Sequence, residues 1–106
     1  MKQYQIVLVN LDPAVGSEIR KKRLCVIISP DEMNRHLRTL IIAPVTSRSK
    51  NYPTRIKVQI NDKTSWVVID QIRTIDKQRV MKVFGSLTES ETEKIRLVIR
   101  ETFVDP

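Results

Sequence analysis

Up to residue 87 this chain never sustains a helical hydrophobic pattern. Its apolar residues arrive in short, β-branched runs broken by turn signals: "YQIVLVN" (4–10), "RLCVIIS" (23–29), "TLIIAPVTS" (39–47), "TRIKVQI" (54–60), "TSWVVID" (64–70) and "KVFGSL" (82–87). Runs of this length and composition read as strands. The first two are apolar on both faces, as buried strands are. In the fourth, Ile56, Val58 and Ile60 face one side while Arg55, Lys57 and Gln59 face the other. Asn61-Asp62 then makes a turn, so 54–60 and 64–70 form a hairpin. The segment "LDPAVGSE" reads as a loop, and Gly16, one of only two glycines, allows a sharp turn in it. Ser29 as cap and Pro30 at the first position start a helix of about one turn, and "DKQRV" (76–80) reads as a single helical turn.

After residue 87 the pattern changes. Thr88-Glu89-Ser90-Glu91 is a capping box, with Thr88 as N-cap and Glu91 three residues on. Acids lead and Arg96 and Arg100 follow, as the helix dipole favours. Ile95, Val98, Ile99, Thr102 and Phe103 form one stripe able to cover a sheet. The expected fold is mostly β with a C-terminal helix: one domain over residues 1–106, a small antiparallel barrel whose closure removes exposed edges.

Several function classes are excluded by what is missing. The one cysteine, Cys25, rules out an intrachain disulfide, lies in an apolar run and reads as a core residue. The one histidine, His36, lies in the polar loop "MNRHLR" and reads as solvated. There is no His pair for acid–base work, no zinc spacing, no phosphate loop and no tight carboxylate cluster, so no metal or cofactor is expected. The N-terminal apolar stretch is too short for a secretory signal, and no run approaches the ~20 apolar residues of a membrane span. A cytoplasmic protein is expected.

The charge is unevenly spread. Residues 1–87 hold sixteen cations against seven acids, a net of +9, while 88–106 carry a net of −2. A basic body implies a polyanionic partner, nucleic acid before membrane. Two segments concentrate the cations. In "EIRKKRL", Arg20, Lys21 and Lys22 read as loop residues that attract phosphate. Arg23, at the head of an apolar strand, reads as a positioned group whose fork can hold a phosphate at two points. In "VTSRSKNYPTR", Thr46 and Ser47 end a strand, and Arg48, Lys50 and Arg55 surround Tyr52. Interleaved basic and aromatic residues suit single-stranded nucleic acid.

Four pieces in order, "VLVNLDPAVGSE" with Arg23 five residues after Glu18, "VIISPDEMN", "APVTSRSKNYP" and "VVIDQIRTID", carry a resemblance across nearly the whole chain. The chain resembles the MazF/PemK family of toxin endoribonucleases. That resemblance implies an SH3-like barrel, shared with the gyrase poison CcdB, assembled as a homodimer. It implies metal-independent, sequence-selective cleavage of single-stranded RNA and inhibition by an acidic cognate antitoxin. Residue by residue, it places the catalytic arginine on Arg23 and the catalytic threonine on Thr46, with Glu18 either orienting Arg23 or fixing the loop. It places RNA contacts on Tyr52, Pro53, Asp70 and Gln71, with Arg73, Ser47, Arg48 and Lys50 beside them. Many members have Arg-Pro where this chain has Arg23-Leu24. Two other readings share the fold: a gyrase-directed poison, and a basic barrel that binds RNA without cutting it. The chain ends "FVDP", without the terminal tryptophan motif expected of gyrase poisons, and the sole tryptophan, Trp66, reads as core.

Overall fold

A computed structural model describes residues 1–49 and 51–105. The strands are β1 (Gln5–Asn10), β2 (Lys22–Ile27), β3 (Thr39–Thr46), β4 (Arg55–Ile60), β5 (Lys63–Val68), β6 (Arg73–Asp76) and β7 (Val80–Ser86). The helices are α1 (Asp31–His36) and α2 (Glu89–Ile99), with 3-10 turns at Ile69–Gln71 and Lys77–Arg79. All strand pairs are antiparallel, in the order β4-β5-β3-β2-β1-β7, with β6 paired to β3.

The sheet is curled rather than closed. Its paired path ends at β4 and β7, so the expected removal of edges is not achieved by barrel closure. On the β4 side, α2 covers the opening instead. Ile95 is fully buried in one cluster with Ile56, Val58 and Ile60 of β4. Glu91 accepts the Gln59 N–H at 2.8 Å, which satisfies a backbone donor on the β4 edge.

Both faces of β1, β2 and β3 are buried, because residues alternate between two cores. Ile6, Val26, Ala43 and Val45 point to the core shared with β4, β5 and α2. Val7, Val9, Cys25, Ile27, Leu40 and Ile42 point to the other, closed by Leu11 and by Ile75 of β6. This is why those runs are apolar at every position. Cys25 is fully buried, and desolvation pushes its thiol up to about 12, against a smaller opposing pull from Arg73. It is an inert core residue, as its setting in the sequence indicates.

Four local expectations need correction. The α1 cap is Pro30, one residue later than expected. Ser29 is buried, and its hydroxyl donates to Asn34 Oδ1 at 2.5 Å and accepts the Ile41 N–H, tying α1 to β3. His36 ends α1 rather than lying in a loop; it is exposed and meets Glu32 at 3.1 Å. β6 is a strand that the short segment "RTID" did not announce. Phe103 is 58% exposed, because the helix widens into a π-turn at Arg100–Val104 and loses the phase of the buried stripe.

The capping box forms as the spacing requires. Thr88 Oγ1 accepts the Glu91 N–H at 3.2 Å, and Glu91 accepts the Thr88 N–H at 3.0 Å. Thr88→Ala is expected to cost about 1 kcal/mol in urea unfolding. An unchanged midpoint would mean that α2 is held by packing of Ile95 alone.

Candidate nucleic-acid interface and active site

The β1–β2 loop is organised by its own polar groups. Gly16 takes a φ of +59°, the left-handed conformation that glycine permits. Asp12 accepts the Lys21 N–H at 2.9 Å, and Glu18 accepts the Val15 N–H at 2.6 Å. Arg79 donates to the carbonyls of Asn10 and Asp12, anchoring the loop's first arm to the rim of β7. Gln71, in the 3-10 turn after β5, accepts the Ile19 N–H at 3.0 Å. The Glu18 carboxylate holds a loop N–H, and among the described residues it has no ion pair with Arg23.

The basic run is less free than expected. Arg20 donates to the Gly16 carbonyl, the Lys21 N–H is held by Asp12, and Lys22 already belongs to β2, opposite Asn10. All three side chains remain exposed.

Arg23 follows on β2. Its Nε donates to the Arg20 carbonyl at 3.3 Å, and among the described residues no acid neutralises it. β2 and β3 pair with Cys25 opposite Pro44. Continued by two residues, that register sets Arg23 level with Thr46 on the same face. Thr46 is half-buried; its hydroxyl donates to the Arg48 carbonyl at 3.1 Å and accepts the Arg48 N–H at 3.3 Å. The β2–β3 ladder ends at Cys25–Pro44, and Arg23 and Thr46, 23 positions apart in sequence, both lie two residues beyond it with the same strand parity.

A cleft of about 370 Å³ opens between the β1–β2 loop and the turn after β5, lined by Glu18, Ile19, Pro44, Asp70, Gln71 and Arg73 among others; neither Arg23 nor Thr46 lines it. A second, shallower surface joins Arg48, Ser49, Tyr52 and Arg55. Arg55 connects the two. Its guanidinium lies 5.0 Å from the Tyr52 ring centroid and reaches both carboxylate oxygens of Asp70, at 3.3 and 3.4 Å. Thr54 donates to Asp70 at 2.8 Å. Ser47 and Pro53 are exposed nearby, and Lys50 lies outside the described residues.

Partial burial pushes the Asp70 carboxyl up, but the hydrogen bonds from Arg55 and Thr54 and the Arg55 charge outweigh it and hold the group below its ordinary 3.8. A depressed carboxyl stabilises the fold above its unfolded value and loses that contribution as pH falls through the folded value. Asp70→Asn is therefore expected to flatten the loss of Tm with acid below pH 3.8. A Tm profile parallel to wild type over that range would show that the Arg55–Asp70 pair contributes nothing measurable to stability.

Trp66 is not a core residue. It stands on β5 directly opposite Thr46 of β3 and Lys57 of β4, half-buried on the outer face and absent from both cores. Neither this placement nor the bridging role of Arg55 was legible in the sequence, because both depend on which strands pair.

A curled antiparallel half-barrel with an exposed basic run at its β1–β2 rim defines a small, mostly β domain. The comparisons narrow it. Residues 2–103 match the family described as the PemK-like, MazF-like toxin of type II toxin-antitoxin systems. The chain belongs to that family. It is 30% identical to Endoribonuclease MazF of Staphylococcus saprophyticus, covering 93% of this chain and 88% of the relative. Its fold matches MazF from Deinococcus radiodurans with a TM-score of 0.84 at 22% identity, covering 95% of this chain and 94% of the other. It also matches a mycobacterial endoribonuclease solved in complex with its cognate antitoxin, with a TM-score of 0.84 at 20% identity, over 100% and 97% of the two chains.

Proposed function

We propose that this toxin is an endoribonuclease that cuts single-stranded RNA without a metal. The observation that carries this reading is an exposed Arg23 with no acidic partner among the described residues, on the β2–β3 register that, continued two residues past its last pair, meets Thr46. RNA brings its own nucleophile. The 2′-oxygen attacks the adjacent phosphorus and loses its proton to solvent; the bond to O5′ breaks and O5′ gains a proton. The products are a 2′,3′-cyclic phosphate and a 5′-hydroxyl.

The transition state is a crowded phosphorane with added negative charge on its non-bridging oxygens. Groups already in place stabilise it most, since they need not reorganise as charge develops. Arg23 faces that charge with two donors already in place; the Thr46 hydroxyl, whose one proton rests on the Arg48 carbonyl, rotates to supply a third. Arg23 acts as an electrostatic clamp rather than a base, because its pKa exceeds ~12. Arg20, Lys21 and Lys22 draw the strand to the rim. The Asp70–Gln71 cleft and Tyr52, stacked on Arg55, receive bases. Selectivity for a sequence motif belongs to these contacts. The partner that silences the basic body is an acidic antitoxin, and the working form is a homodimer.

The deciding experiment is incubation of the purified protein with a long single-stranded RNA in EDTA, with mapping of product ends. Discrete cuts bearing 5′-hydroxyl ends are expected. Intact RNA from a folded protein would overturn the proposal in favour of a binding barrel or a gyrase-directed poison.

A further inference from the structure

Strand register places more than Arg23 and Thr46 in line. Thr46 is opposite Trp66, and Trp66 is opposite Lys57. Thr46 on β3, Trp66 on β5 and Lys57 on β4 thus form one row on a single face, and the β2–β3 register, continued two residues past its last pair, extends that row to Arg23 on β2. At ~4.8 Å between strands, the row is about 14 Å long from Arg23 to Lys57. Such a span exceeds the distance between adjacent phosphates of a single strand, so it fits two non-adjacent phosphates, one at each end, with a base over the middle. The composition is suited to that use. A cation and a hydroxyl stand at one end, a half-buried indole in the middle and an exposed ammonium at the other end. Among the described residues Lys57 has no acidic partner. A tryptophan on the outer face of a strand, outside both cores, leaves aromatic surface that packing does not use.

We propose that Trp66 and Lys57 form a nucleotide subsite next to the scissile phosphate. The indole stacks on the neighbouring base, and the Lys57 ammonium pairs with a phosphate further along the strand. The proposal rests on the RNA-cleaving reading for what occupies Arg23 and Thr46, but it concerns binding and is tested by binding. Stacking on an aromatic face tolerates any base. This subsite therefore adds affinity and holds the strand across the row, while the Asp70–Gln71 cleft selects.

Trp66 is the only tryptophan in the chain, so its emission reports on this site alone. The probe is a short random-sequence 2′-O-methyl RNA carrying a terminal fluorophore, which lacks the attacking hydroxyl. Binding is read by anisotropy of the strand, and stacking by quenching of Trp66 and its protection from acrylamide. Quenching that saturates together with anisotropy is expected. Trp66→Leu should weaken binding by roughly 5- to 100-fold and Trp66→Phe by much less, since a ring face remains. Lys57→Gln should reduce the salt slope of binding by ~0.7, one single-strand phosphate contact.

Saturable binding with Trp66 emission and accessibility unchanged would overturn the subsite and leave the cleavage reading intact. So would a folded Trp66→Leu variant that binds like wild type. If Trp66→Leu does not fold, the fluorescence measurement on the unaltered protein decides. Quenched Trp66 in a protein that leaves RNA whole in EDTA would keep the subsite and sink the nuclease. No anisotropy change at low salt would sink both.

Discussion

Arg23→Ala is expected to lower the rate of RNA cleavage by ~10²-fold or more, the usual consequence of losing one preorganised donor to transition-state charge. The fold should survive the change. Arg23 is exposed, its side chain makes one hydrogen bond to the Arg20 carbonyl, and neither core contains it. Single-turnover cleavage beside a thermal melt separates the two effects. Arg23→Lys should recover only part of the loss, because an ammonium keeps the charge but not the planar fork. A folded Arg23→Ala variant that cuts at close to the wild-type rate would remove Arg23 from the site and leave Thr46 without the neighbour that gives it a role.

RNA binding should collapse with salt. With about four phosphate contacts, the single-strand slope of ~0.7 per contact predicts affinity falling roughly 50-fold between about 50 and 200 mM salt. Arg20, Lys21, Lys22 and Arg23 crowd one end of the row and Lys57 stands at the other, all of them exposed. Screening acts most strongly on exposed charges of this kind. The measurement is strand anisotropy at stepped potassium chloride, with the nucleophile-free probe so that cleavage does not interfere. An affinity that hardly moves with salt would place the RNA elsewhere than on these cations.

Much of the fold was legible before any coordinates. The clean alternation of "TRIKVQI" with its Asn-Asp turn marked β4, β5 and their hairpin, and the structure pairs Ile60 with Lys63 across that turn. The Thr88–Glu91 spacing marked the start of α2, and both hydrogen bonds of the box form. β6 was missed because four residues carry too little periodicity, and its strand character comes from pairing with β3. Trp66 was misplaced for a related reason. In a strand, inward and outward positions differ by one residue, and nothing in "TSWVV" says which parity faces the core.

The candidate site was legible as residue types and only partly as geometry. The Glu18-to-Arg23 spacing and the "VTS" strand end pointed to Arg23 and Thr46 through family resemblance. The sequence left Glu18 open between two roles, and in the fold its carboxylate accepts the Val15 N–H within the loop. Arg55 stood among the cations around Tyr52 in the sequence. Only the fold makes it the bridge that binds Asp70, 15 positions away, while lying against Tyr52.

By itself the sequence determined what is local: the strand and helix periods, the glycine turn, the capping box and a basic body ahead of an acidic-led helix. These follow from interactions within a few residues, or from charge that sums regardless of fold. Tertiary structure decided what stands beside what. It left the sheet open and covered its β4 edge with α2, and it tied Arg55 to Asp70. It aligned Thr46, Trp66 and Lys57 across three strands and carried Arg23 on the neighbouring strand, two residues beyond its last pair with β3. Strand register is a long-range choice, made by the burial of two cores at once, and no short stretch of the chain contains it.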